Sequence, residues 1–157
     1  MANTFTQIYI QIVFAVKGRK NLVPQNHKEE LHKYITGIIT KRGQKLIAIN
    51  CMPDHVHLFI GLKPNHCISD LVRDVKAASS SFIKEKKWIR SWFEWQEGFG
   101  AFSYGHSQID VVVKYIQNQE EHHHVKSFRQ EYHEFLEKFN VEFHEKYLFE
   151  FYEYNKA

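Results

Sequence analysis

Between Phe5 and Val16 the chain alternates: Ile8, Ile10, Ile12, Phe14 and Val16 share one side of an extended backbone, with Gln7, Tyr9 and Gln11 opposite. On a helix those five apolar residues would scatter around the axis. As a strand they form one strongly apolar face that must be buried against a second layer. The alternation returns further on, where Val56, Leu58 and Ile60 form an apolar stripe and His55, His57 and Phe59 occupy the other face. A sheet covered on its apolar side is therefore the frame into which everything else must fit.

The segments between these strands change period. Pro24 opens a helical stretch with Leu31, Tyr34, Ile35, Ile38 and Ile39 at helical spacing, and Gly43 ends it. A strand is expected from residue 44 to about residue 51. A tight turn at Met52-Pro53-Asp54 then leads into the histidine strand through Leu62, so the pair reads as a hairpin. Ser69 and Asp70 are candidate caps for a helix carrying Leu71, Val72, Val75, Ala78, Phe82 and Ile83. A strand around residues 99–104 and helices over about 108–122 and 127–139 complete the order. Strand, helix, strand, strand, helix, strand is the split βαβ arrangement. The expected fold is α+β and ferredoxin-like: an antiparallel sheet with helices on one face plus extra C-terminal helices. With no repeat and no low-complexity linker, residues 1–157 read as one domain.

A hydrophobic fraction of 43% and an aromatic fraction of 15% argue against disorder. The net charge of +3 conceals an uneven distribution. Residues 1–100 hold 15 Lys/Arg against 8 Asp/Glu, whereas residues 101–157 hold 6 against 10, so a polyanion would face the N-terminal two-thirds. Cys51 and Cys67 form no disulfide framework and no zinc-type pair, which fits a reducing, cytoplasmic setting. The first residues lack a signal-peptide pattern, and no apolar run nears the roughly 20 residues of a membrane span.

Alternation places His55 and His57 on the same face of their strand, and two neutral imidazoles side by side are most of a metal site. Tyr115 and Gln119, four residues apart on an expected helix, share a helical face and are candidates to complete it. Two imidazoles and an amide oxygen suit Mn²⁺ or Mg²⁺ and leave positions open for phosphate oxygens. Zinc would instead recruit a third His, a carboxylate or a Cys, and His122-His123-His124 is the rival source. From pattern alone Tyr115, beside Val111, Val112 and Ile116, also fits an ordinary half-buried core tyrosine. A phenol with a pKa of about 10 attacks phosphorus only when a base takes its proton and a metal polarises the target.

Three strings together, Met52-Pro53-Asp54-His55-Val56-His57-Leu58, Trp95-Gln96-x-Gly98-Phe99 and Tyr115-Ile116-x-Asn118-Gln119, resemble the single-tyrosine HUH transposases. These are the small TnpA-like enzymes of insertion sequences that move as single-stranded DNA, with a cousin branch associated with repeated palindromic sequences. The resemblance runs from about Thr6 to the C-terminal helices. It implies His55 and His57 as metal ligands, Gln119 as the third, and Tyr115 as the nucleophile that forms a 5′-phosphotyrosine. It further implies recognition of DNA hairpins, and a homodimer whose sheets join and whose active sites are assembled across subunits.

For DNA contact, Lys84, Lys86, Lys87 and Arg90 interleave with Trp88 and Trp92, pairing phosphate-neutralising charges with rings able to stack on bases. Lys17, Arg19 and Lys20 form a second basic loop, and Lys76, near Ser79, Ser80 and Ser81, is placed to line a groove. The acidic, aromatic stretch over residues 142–154 is expected to pack on the body or on a partner. Two other readings compete: a ferredoxin-like nucleic-acid-binding module without chemistry, and a zinc hydrolase drawing a ligand from residues 122–124.

Overall fold

The computed structural model describes residues 3–121 and 126–143. Four strands form one sheet, β1 (Tyr9–Ala15), β2 (Lys45–Cys51), β3 (His55–Gly61) and β4 (Gly100–Tyr104), in the spatial order β2-β3-β1-β4. Every pairing is antiparallel, with Ile12 opposite Leu58 and Val13 opposite His57. Helix α1 (Lys28–Lys41) joins β1 to β2, and α2 (Ile68–Lys86) joins β3 to β4. This is the split βαβ, ferredoxin-like topology.

The alternation of β1 and β3 divides the interior in two. Ile10, Ile12, Phe14, Val56, Leu58 and Ile60 pack against Leu31, Ile35 and Ile39 of α1 and Leu71, Val72, Val75 and Ile83 of α2. The opposite face, carrying Val13, Ala15, His57 and Phe59, is covered by α3 (Ile109–Gln117) and α4 (Phe128–Lys138). The C-terminal helices thus enclose the side that bears the histidines.

Local chemistry moves some boundaries. Pro24 is followed by a single 3₁₀ turn at Gln25–His27 before α1 begins. Gly43 lies just past the end of α1 at φ +76°, a left-handed conformation that glycine adopts without a Cβ clash. Helix α2 starts one residue before Ser69, with Cys67 at its cap position and no side-chain cap bond. Asp70 sits in the first turn, where its charge complements the helix dipole, and it pairs with Arg73 at 3.3 Å. The helix expected over residues 108–122 is interrupted: α3 stops at Gln117, Asn118 adopts a non-helical turn, and residues 119–121 are helical again. Asn50 accounts for where α3 is held: from β2 its buried side-chain amide donates to the Ile116 carbonyl at 2.8 Å. Helix α4 follows the sequence closely, starting from a capping box in which Ser127 and Gln130 exchange hydrogen bonds. Residues 122–124, the rival metal ligands, and residues 144–154 of the acidic stretch lie outside the described residues.

Candidate metal centre and tyrosine site

His55 and His57 stand side by side on β3, 1% and 0% exposed, their rings 5.0 Å apart. Each ring is held at Nδ1. Asp54 Oδ1 lies 2.7 Å from His55 Nδ1, and the Gln11 side-chain amide lies 3.0 Å from His57 Nδ1. Both Nε2 atoms therefore face the space beneath α3 and α4. A carboxylate can only accept, so Asp54 fixes the His55 proton on Nδ1 and leaves a lone pair on Nε2. Burial lowers the His55 pKa, with the hydrogen bond that its Nδ1 donates to Asp54 opposing the shift.

Helix α3 brings Tyr115 to the same place, its ring 6.1 Å from that of His57 and edge-on to it. One turn further, Gln119 is fully buried, with its Oε1 3.5 Å from His55 Nε2. The residues singled out by spacing, His55, His57, Tyr115 and Gln119, thus converge within a single chain.

Glu131 of α4, absent from the sequence-based site, occupies the centre. It is 3% exposed, and its Oε1 lies 3.0 Å from His57 Nε2 and 3.8 Å from His55 Nε2. Its Oε2 accepts the Tyr115 hydroxyl proton in a hydrogen bond and a second bond from the Gln119 amide at 3.1 Å. One oxygen faces the imidazoles and the other faces the phenol. Burial, reinforced by Glu131, pushes the Tyr115 pKa far above the ordinary phenol value. The only advance signal for Glu131 was its place in an amphipathic helix: it lies three residues after Phe128 and four before Phe135, on the buried face where a carboxylate needs a partner.

The donor set fits a divalent cation. His55, His57 and Glu131 each offer a ligand atom, all within 4.8 Å of one another. Ligands at about 2.1 Å from a common ion are separated by roughly 3.0–3.5 Å at adjacent positions. The 3.0, 3.5 and 3.8 Å separations bracket that range. The imidazole Nε2 atoms of His55 and His57 face the oxygens of Gln119 and Glu131, a set of nitrogen and oxygen donors of the kind a divalent cation takes. Among the described residues these are the His, Cys, Asp and Glu side chains grouped closely enough to hold an ion.

Two cavities reach the cluster. A small one of about 190 Å³ is lined by Gln11, Tyr104, Tyr115, Glu131 and Phe135. A larger groove of about 440 Å³ runs past Arg19, Asn21, Pro53 and Ser127 to His55 and Phe128, whose rings stack at 3.9 Å. The basic loop Lys17, Arg19 and Lys20 follows β1 at this end, tied to the histidine hairpin by the Val16 N–H donating to the Asp54 carbonyl. The Trp95-Gln96 segment docks here too, its Gln96 N–H donating to Ala15.

The remaining basic residues lie elsewhere. Lys84 sits 3.9 Å over the ring of Trp92, which is 74% exposed, and Lys87 and Arg90 are exposed nearby. Lys86 reaches Glu30 at 4.0 Å. Trp88 stacks on His27, and Trp95 is buried with its indole N–H donating to Ser79. Lys76 donates to the carbonyls of Gln96 and Gly98, at 2.7 and 2.6 Å, and burial brings its pKa down to about 8.

This fold is shared with solved transposases. A putative transposase from Deinococcus radiodurans R1 superposes with a TM-score of 0.61 at 24% identity, over 76% of this chain and 95% of that one. A REP-associated tyrosine transposase bound to a REP hairpin superposes at 0.58 and 14% identity, over 78% and 73%. The chain itself belongs to the IS200-like transposase family, whose pattern, "Transposase IS200 like", matches residues 4–119. The curated ISDra2 transposase TnpA of Deinococcus radiodurans is 26% identical over 120 residues, covering 72% of this chain and 84% of that protein.

Proposed function

We propose that this transposase, acting through residues 1–157 as one domain, cleaves and rejoins single-stranded DNA at insertion-sequence ends. Tyr115 is the nucleophile. The observation that carries the reading is the convergence of Tyr115, His55, His57 and Gln119 on one buried point, with the phenol hydrogen-bonded to Glu131.

In the cleavage step the Tyr115 oxygen attacks a backbone phosphorus and its proton passes to Glu131 Oε2. The bond to the 3′ oxygen breaks, leaving a 5′-phosphotyrosine and a 3′ end that takes a proton from water. Attack by another 3′ hydroxyl reverses the step and returns the proton to Tyr115, so the phosphoester bond energy is retained for joining. His55, His57 and Gln119, with Glu131 Oε1 beside them, would hold Mn²⁺ or Mg²⁺. That ion supplies Lewis-acid stabilisation of charge on the phosphate oxygens. A buried phenol beside a carboxylate is a weak nucleophile unless such help is present.

The groove ending at His55 is the route for the scissile strand, with Lys17, Arg19 and Lys20 at its edge for backbone phosphates. Lys84, Lys87 and Arg90 beside exposed Trp92 provide a second contact for unpaired or hairpin DNA, and Lys76 contributes by holding the Gln96–Gly98 loop. The solved relative bound to a REP hairpin supports hairpin DNA as the partner class. A homodimer is also proposed, with β4 as an edge strand able to join a second sheet. The substrate places the activity in the cytoplasm.

The test is incubation of the protein with Mn²⁺ or Mg²⁺ and labelled single-stranded hairpin DNA, followed by denaturing electrophoresis. A covalent adduct is expected, lost in Tyr115→Phe while DNA binding remains. An unchanged adduct in that variant overturns the nucleophile assignment. Binding with no adduct on any hairpin substrate would favour the binding module without chemistry.

A further inference from the structure

The two histidines are not held alike, and the difference lies in Gln11. This residue is fully buried, projects from β1 beside His57, and is bound at both ends. Its amide nitrogen meets His57 Nδ1 at 3.0 Å, and its amide oxygen accepts from the Tyr104 hydroxyl of β4 at 3.1 Å. An amide nitrogen can only donate, so in this arrangement His57 Nδ1 accepts and the ring proton resides on Nε2. There it donates to Glu131 Oε1 at 3.0 Å. Every hydrogen bond is satisfied, but the lone pair a metal needs at Nε2 is occupied by a proton. His55 has no such ambiguity, because Asp54 holds its proton on Nδ1.

We propose that Gln11, backed by Tyr104, is a positioning residue that switches the tautomer of His57 when a divalent cation binds. Half a turn of the Gln11 amide places its oxygen on Nδ1 and its nitrogen on the Tyr104 oxygen. The His57 proton then resides on Nδ1, where the amide oxygen accepts it, and Nε2 is free for the metal. No net proton is gained or lost by the ring. A tyrosine hydroxyl both donates and accepts, so Tyr104 can partner the Gln11 amide in either orientation. The cavity of about 190 Å³ lined by Gln11 and Tyr104 leaves room for the turn. A partner that can only donate would oppose metal binding, and one that can only accept would fix the binding tautomer permanently.

The inference rests on the metal reading of His55 and His57, and the experiment separates the two. Mn²⁺ affinity of the intact protein is measured by spin resonance, without DNA, for wild type, His57→Ala, Gln11→Met, Gln11→Glu and Tyr104→Phe. Removing the acceptor in Gln11→Met is expected to weaken Mn²⁺ about tenfold, the scale seen when the partner of a ligating histidine is lost. Tyr104→Phe should weaken it by a smaller factor, and Gln11→Glu should tighten it. Nitrogen NMR of the wild-type His57 ring should show the proton on Nε2 without metal and on Nδ1 after Mg²⁺ is added. A ring already protonated on Nδ1 without metal overturns the switch, even if Gln11→Met fails to fold. Unchanged Mn²⁺ affinity in folded Gln11→Met overturns the positioning role. Unchanged affinity in His57→Ala sinks the underlying metal reading instead.

Discussion

Glu131 sits where the two halves of the site meet, and its two oxygens divide the work between the imidazoles and the phenol. Replacing it with glutamine keeps the size and one acceptor but removes the charge and the proton acceptor. Glu131→Gln should therefore lower single-turnover cleavage about 100-fold or more, the ordinary contribution of a positioned base, with hairpin binding retained. Cleavage within a few-fold of wild type would reduce Glu131 to a packing role. Gln119→Ala probes the other side of the cluster. It should weaken Mn²⁺ binding and cleavage together, because the amide oxygen facing His55 is lost and the Glu131 carboxylate loses a donor. Of these residues, His55 and His57 were placed on one strand face by the two-residue period, whereas Tyr115 and Gln119, four apart in sequence, were singled out by the family resemblance rather than by pattern alone. Glu131 was not legible: its place on the buried face of α4 marks it as needing a partner, but the partners lie on β3 and α3, which local sequence does not reveal.

At the level of elements, α1 and β2 are joined by an acceptor that acid removes. The His32 imidazole accepts the Cys51 backbone N–H at 3.0 Å, and burial, followed by Lys28, brings its pKa down to about 4. The unfolded chain takes up this proton below about pH 6.5, whereas the folded chain resists it down to about pH 4. The stability is thus present above pH 6.5 and is lost as the pH falls toward 4, on the order of 2 kcal/mol after allowing for partial exposure. Thermal melts across that window should show a falling Tm. His32→Gln, whose amide oxygen can accept the same N–H, should flatten the decline; an undiminished slope would assign it to other groups. Burial lowers His55 in the same direction, so some slope should remain. The strand and helix order was readable from period, and α4 began where Ser127 and Gln130 indicated. The stop of α3 at Gln117 was less so, since the Asn50 bond to Ile116 joins residues 66 apart in sequence.

For the whole molecule, the decisive question is which chain supplies the tyrosine. Here α3 folds back onto its own sheet, so the phenol and the imidazoles meet without a second subunit. Mixing Tyr115→Phe with His57→Ala, each inactive alone, tests whether that holds during cleavage. A site completed within one chain predicts no recovery in the mixture. Recovered adduct would show that α3 exchanges between subunits in an assembled dimer. Light scattering on the same samples reports whether the joined-sheet dimer exists at all.

The sequence alone determined the alternation of β1 and β3, hence a sheet with one face for the core and the other for His55 and His57. It also determined the four-residue separation of Tyr115 and Gln119, which a helix period turns toward one side. These are local matters, set by the two-residue period of a strand and the 3.6-residue period of a helix. Only the tertiary structure decided that Glu131 stands between them, that Gln11 holds His57 while Asp54 holds His55, and that Lys76 is committed to the Gln96 and Gly98 carbonyls. Apart from Asp54, each of these contacts spans many residues of chain. It depends on where whole elements come to rest once their apolar faces are buried, and no local period encodes that.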